Sequence, residues 1–103
     1  MREFSIVMTT CGGAGEAWSI VDALLSGRLA ACIQTMPIQS HYIWEGAVQH
    51  EGETLLFIKC KAENYAEIEK TILRLHSYGV PEIIQVPIEG GFDKYLSWLG
   101  DPE

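Results

Sequence analysis

Residues 40–61 read Ser-His-Tyr-Ile-Trp-Glu-Gly-Ala-Val-Gln-His-Glu-Gly-Glu-Thr-Leu-Leu-Phe-Ile-Lys-Cys-Lys. Aromatic and β-branched side chains fill the first part, Glu45-Gly46 supplies a turn, and Leu55-Leu56-Phe57-Ile58 is an apolar run beyond it. This is the pattern of a long β-hairpin. With residues 29–36 feeding the first arm, each paired strand exceeds about ten residues, against a usual strand of about five or six. A small sheet does not cover arms of that length, so the pattern predicts cover from outside the chain.

Working outward, residues 4–10 predict a buried strand, broken by Cys11-Gly-Gly-Ala-Gly15, where the backbone can turn tightly. Ala17, Ile20, Val21 and Leu24 then recur at helical spacing, predicting a helix over 16–26 that Gly27 ends. Residues 29–36 read as a second strand, with Pro37 interrupting its ladder before the hairpin arm and favouring an edge or a bulge. Beyond the hairpin, Asn64 and Glu67 form a helix-start capping pair, and Tyr65, Ile68, Ile72 and Leu75 mark one helical face. Gly79 and Pro81 stop that helix. Ile83, Ile84, Val86 and Ile88 make a fourth strand, whose Pro87 again points to an edge. After Gly90-Gly91, the spacing of Phe92, Tyr95, Leu96 and Leu99 predicts a short amphipathic helix. The order β-α-β-β-α-β plus a terminal helix is the ferredoxin-like α+β sandwich, a four-stranded antiparallel sheet with two long helices on one face.

At 103 residues the chain is expected to be one domain, 1–103. Fourteen acidic against seven basic side chains give a net charge of -7, which repels phosphate backbones and anionic membranes. Nucleic acid and membrane are therefore not expected partners. Cys11, Cys32 and Cys60 form no CxxC pair and no dense disulfide pattern, which suits a reducing compartment and excludes a thiolate metal-chaperone loop. Glu3 and Ser5 interrupt the first apolar run, and no stretch reaches the roughly twenty apolar residues of a membrane span. The expected location is cytoplasmic.

Four stretches together resemble the CutA-type divalent-cation-tolerance proteins: Leu29-Ala-Ala-Cys-Ile33; Tyr42-Ile-Trp-Glu-Gly46 followed by Glu53, Leu55, Leu56, Ile58 and Lys59; Leu75-His-Ser-Tyr-Gly-Val-Pro-Glu-Ile83; and Tyr95-Leu-Ser-Trp-Leu99. They span nearly the whole chain. The resemblance implies a ferredoxin-like homotrimer whose hairpins pair with neighbouring subunits, a non-enzymatic protein that binds or responds to divalent metal ions such as copper or zinc. It carries His76 over as a metal ligand. Thr9 stands where the family's proposed cysteine ligand falls, Cys11 lies two residues on, and Leu75 replaces the first residue of the family's histidine pair.

The residues themselves give His76 and the nearby Glu82 as candidate metal ligands, because imidazole and carboxylate are donors for copper and zinc, and the resemblance adds Cys11, which lies near the family's cysteine position. The plainer role for His76 is to cap the end of its helix or to bond at a subunit interface. Cys11, at a helix start, is either a thiol with a lowered pKa or a small residue filling a turn, and the lack of a paired base favours the second. Tyr42, Trp44, Glu45, Lys59, Tyr78, Pro81, Tyr95 and Trp98 are the expected cleft or interface residues, lining an inter-subunit pocket or anchoring a neighbour. Cross-strand pairing brings His41 near His50, as a surface metal site or, more simply, as two exposed histidines. No paired nucleophile and base and no cofactor fingerprint point to an enzyme. The alternative function is a small-molecule-sensing or scaffolding module that uses inter-subunit clefts, an analogy from fold alone.

Overall fold

The computed structural model describes residues 3–102; Met1, Arg2 and Glu103, the ends of the expected domain, lie outside the described residues. The elements run β1 (Phe4–Cys11), α1 (Ala14–Ser26), β2 (Cys32–Trp44), β3 (Ala47–Lys61), a 3-10 turn (Ala62–Asn64), α2 (Tyr65–Leu75), β4 (Ile83–Pro87) and α3 (Asp93–Gly100). The sheet is antiparallel in the order β2-β3-β1-β4. This is the ferredoxin-like sandwich expected from the sequence.

Alternation along the strands decides what is covered. In β1, Ser5, Val7, Thr9 and Cys11 are buried, and Leu56, Ile58 and Cys60 of β3 join them. Ala17, Ile20 and Leu24 of α1, spaced by three and four, meet Ile68 and Ile72 of α2 over this face and complete one core. Burying an aliphatic side chain of this size stabilises the fold by about 1.5–3 kcal/mol. Lys59 points the other way, and its ammonium lies 5.5 Å from the Tyr95 ring centre of α3.

The hairpin outruns this core. β1 pairs β3 only from Thr54 to Lys61, whereas β2 pairs it from Ala47 onward. Residues 47–53 and their β2 partners therefore project as a two-stranded ribbon, on the order of 20 Å long at the usual rise per residue. The molecule measures 45 × 26 × 22 Å as a result. At the tip, Glu45 (φ 51) and Gly46 (φ 79) both adopt left-handed backbone between the paired Trp44 and Ala47. That is the type I′ turn, whose twist matches the strands.

Several expectations are corrected. The second strand does not start at Leu29 or break at Pro37. It begins at Cys32 and runs unbroken to Trp44, because β2 is an edge strand and a residue without an N–H is tolerated there. Leu29 instead closes the end of α1, its N–H bonding the Leu24 carbonyl at 3.0 Å. Gly27 does end α1 as expected, but it stays right-handed at φ -79 and the left-handed residue is Arg28 (φ 59). Asn64 does not cap α2 through its side chain. The 3-10 turn runs straight into the helix, so Asn64 has φ -88 and ψ 0 rather than extended cap geometry. Its amide donates to the Leu29 carbonyl at 3.2 Å. β4 stops at Pro87, and the Ile88 N–H bonds the Phe4 carbonyl at 2.9 Å.

Candidate functional site

α2 ends at Leu75, and His76 follows in extended backbone, its N–H still bonded to the Ile72 carbonyl at 2.8 Å. The chain leaving the helix is aimed at the end of β1. There the His76 side chain is fully buried, and Nε2 lies 2.6 Å from the Thr10 carbonyl oxygen. A carbonyl only accepts, so Nε2 carries the proton. Nδ1 accepts the Tyr78 N–H at 3.1 Å, which fixes the neutral tautomer.

Glu16, in the first turn of α1, holds the same loop. One carboxylate oxygen takes the Ser77 N–H at 2.6 Å and lies 3.3 Å from His76 Nδ1, and the other takes the Ser77 hydroxyl at 3.0 Å. Tyr78 donates its hydroxyl to Glu53 of β3 at 2.9 Å and tilts its ring against His76 with centres 4.6 Å apart. Gly12 leaves the space for this, since a Cβ there would sit 3.1 Å from the Tyr78 oxygen. The cluster thus ties β1, α1, β3 and the loop after α2 together. Glu16 and Thr10 were not expected in it. Glu16 and Ser77 lie 61 positions apart, and no spacing in the sequence signals their contact.

The cluster is negative. Burial pushes the Tyr78 phenol pKa up, reinforced by its bond to Glu53 and by the charges of Glu53, Glu51 and Glu16. Burial likewise pushes the Cys11 thiol up to about 11, with Glu16 and Glu53 adding to it. Desolvation and nearby carboxylates thus outweigh the helix dipole at Cys11, against the less favoured of its two readings, the activated thiol. Both ring nitrogens of His76 and both oxygens of Glu16 are engaged, so an ion at His76 must first displace Tyr78 or Thr10. Glu82 is exposed on the approach to β4. Among the described residues, no group of three or more His, Cys, Asp or Glu side chains is arranged to hold a metal ion.

The expected interface residues fall in separate places. Tyr42, Trp44 and Glu45 are exposed at the hairpin tip, where the Tyr42 hydroxyl donates to Glu51. Lys59, Tyr95 and Trp98 gather at α3, the two rings 5.8 Å apart. Tyr78 belongs to the His76 cluster, and Pro81 is half-buried in the loop beyond it. On the ribbon, His41 and His50 are paired directly across the strands, with their Nδ1 atoms 2.6 Å apart. No helix among the described residues is long and apolar enough to cross a membrane.

These features define a ferredoxin-like α+β protein with a projecting β-ribbon. The family described as CutA1 divalent ion tolerance protein matches residues 5–102, and the chain belongs to that family. It is 33% identical over 97 residues to the divalent-cation tolerance protein CutA of Archaeoglobus fulgidus, covering 94% of this chain and 95% of that one. It is 38% identical over 95 residues to the chloroplastic protein CutA of Arabidopsis thaliana, covering 91% of this chain but 52% of that longer relative. The solved structure of the divalent cation tolerance protein (Cut A1) of Thermus thermophilus superposes with a TM-score of 0.92 at 35% identity, over 95% of this chain and 96% of that one.

Proposed function

We propose that this chain acts as a non-enzymatic homotrimer of the divalent-cation-tolerance family, taking up or responding to divalent metal ions such as copper or zinc. The observation that carries the reading is the uncovered ribbon. Its apolar residues Ile43, Trp44 and Val48 are 75%, 50% and 64% exposed. The sheet has two edges, β2 and β4, and β4 exposes Ile84 and Val86. Unpaired edge strands with apolar side chains invite further pairing, and a closed ring of identical chains satisfies them without open-ended growth. Burial keeps the Cys11 thiol protonated, which disfavours it as a nucleophile and equally as a metal ligand.

Sedimentation equilibrium tests the assembly, with three chains per particle expected and a folded, monodisperse monomer overturning it. Calorimetric titration with Cu2+ and Zn2+ tests the ion, on wild type and His76→Ala. Equal heats in both would remove His76 as a ligand, and no heat in the wild type would remove the cation from the proposal.

A further inference from the structure

We propose that His41 and His50 form a two-nitrogen chelate for a divalent transition metal, Cu2+ in first place and Zn2+ second, on the projecting ribbon. The two residues are direct cross-strand partners, so the register of the hairpin sets their spacing. Both are exposed. Their ring centres are 4.8 Å apart with planes at 74°, and the Nδ1 atoms approach to 2.6 Å. At that distance one nitrogen must carry a proton and give it to the other's lone pair. A metal ion in the proton's place would satisfy both lone pairs together.

Both copper and zinc geometries are within reach. Metal–nitrogen bonds of about 2.0–2.1 Å at a right angle set cis donors about 2.9 Å apart, while a tetrahedral angle sets them at about 3.3–3.4 Å. Both exceed the 2.6 Å that the hydrogen bond between the rings sets. Rotating two solvent-exposed rings opens the pair by the few tenths of an ångström required. Nitrogen sites bind Cu2+ more tightly than Zn2+ at equal geometry.

Two further features suit a cation there. No Lys or Arg occurs between Arg28 and Lys59, while Glu45, Glu51 and Glu53 lie in the hairpin, so the local field is negative and no fixed cation competes. Gln39, two residues before His41 on the same strand, pairs with Gly52, whose lack of a side chain leaves room beside the histidines for water to complete the coordination. Both histidines come from one chain, so the chelate needs no ligand from a second copy, and in the proposed trimer it requires that the neighbouring chain leave this side of the ribbon open to solvent. It rests on the proposed cation response only for the idea that a divalent ion binds, and it moves the ligands from the His76 loop to the ribbon.

The test is a titration of metal-free protein with copper chloride and then zinc chloride, with magnesium chloride as a hard-cation control. Wild type, His41→Ala, His50→Ala and His76→Ala are compared by calorimetry and by the ring-proton resonances of the three histidines. The expected result is about one Cu2+ per chain, lost in either ribbon variant and kept in His76→Ala. The His41 and His50 resonances should broaden before that of His76. Binding unchanged in both ribbon variants overturns the chelate. If binding disappears only in His76→Ala, the chelate fails while the cation reading stands. If the wild type binds neither ion, both fail. Mg2+ binding of similar strength that survives loss of the rings points to the carboxylates and also overturns it.

Discussion

The two halves of the β2–β3 ribbon are built from one continuous pair of strands, yet they live in different solvents. The inner half places Leu56, Ile58 and Cys60 under α1 and α2, where each is at most 1% exposed. The outer half places Ile43, Trp44 and Val48 in water. The difference shows that strand length here is not set by this chain's own core, because backbone pairing continues well past the last covered residue. The histidines follow the same division. The His76 side chain is buried with both nitrogens engaged, whereas His41 and His50 face each other in solvent, each bonded to the other alone among the described residues.

The sharpest way to break this comparison is to cut the same kind of atom from each half. Leu56→Ala should cost about 2–5 kcal/mol, the usual result for emptying a sealed aliphatic position. Ile43→Ala should cost the isolated chain less than about 0.5 kcal/mol, as surface changes do. Its further cost should appear only as weaker association, and so should grow with protein concentration, whereas the Leu56→Ala loss should not. Denaturant midpoints measured over a range of protein concentrations separate the two. A concentration-independent loss at Ile43 as large as that at Leu56 would mean the outer half is covered by this chain after all.

The covered half should also carry the alkaline limit of stability. Burial raises Cys60 from 9.0 to about 11, and burial with Glu16 and Glu53 raises Cys11 by a similar amount. Above pH 9 the unfolded chain releases these protons while the folded chain keeps them. Stability is therefore full below pH 9 and falls as pH rises towards about 11. Urea midpoints followed from neutral to strongly alkaline pH should show that slope, and Cys60→Ala should flatten it. An identical slope in Cys60→Ala would remove this thiol from the account.

A smaller effect runs in the opposite direction. Thr9 of β1, paired with Leu56 of the inner half, is fully buried, and its hydroxyl has no hydrogen-bond partner among the described residues. Thr9→Val keeps the shape and removes the unmatched group, so it should stabilise the fold by about 1 kcal/mol. A loss in thermal or urea midpoint would show that the hydroxyl is satisfied by water.

The inner half was legible in the sequence because burial leaves a period. Ala17, Ile20 and Leu24 announce α1, Ile68 and Ile72 announce α2, and the Leu55–Ile58 run announces a strand that the core surrounds. The long arms around Glu45-Gly46 were equally plain. What stayed hidden depends on approach in space: Glu16 reaching Ser77, Tyr78 reaching Glu53, and Asn64 spending its amide on Leu29 rather than on its own helix. The His41–His50 pairing was visible in outline, because the turn fixes which residues oppose each other. Its 2.6 Å approach was not, since that depends on rotamers.

The smallest effect tests the tip that joins the two arms. A type I′ turn requires left-handed backbone at both central residues, and Gly46 meets that without cost while Glu45 does not. Left-handed backbone costs an ordinary side chain about 1–2 kcal/mol, a penalty that Asn partly escapes through local hydrogen bonds. Glu45→Asn should therefore raise stability by about 0.5–1 kcal/mol, read as a shift in the thermal midpoint. The same variant sharpens the contrast between the halves when its sedimentation is measured. A more stable chain with weaker association means the strained Glu45 is kept for a contact that a neighbouring copy makes. A more stable chain that associates as before means the strain belongs to the turn alone, and leaves Ile43, Trp44 and Val48 to hold the proposed assembly.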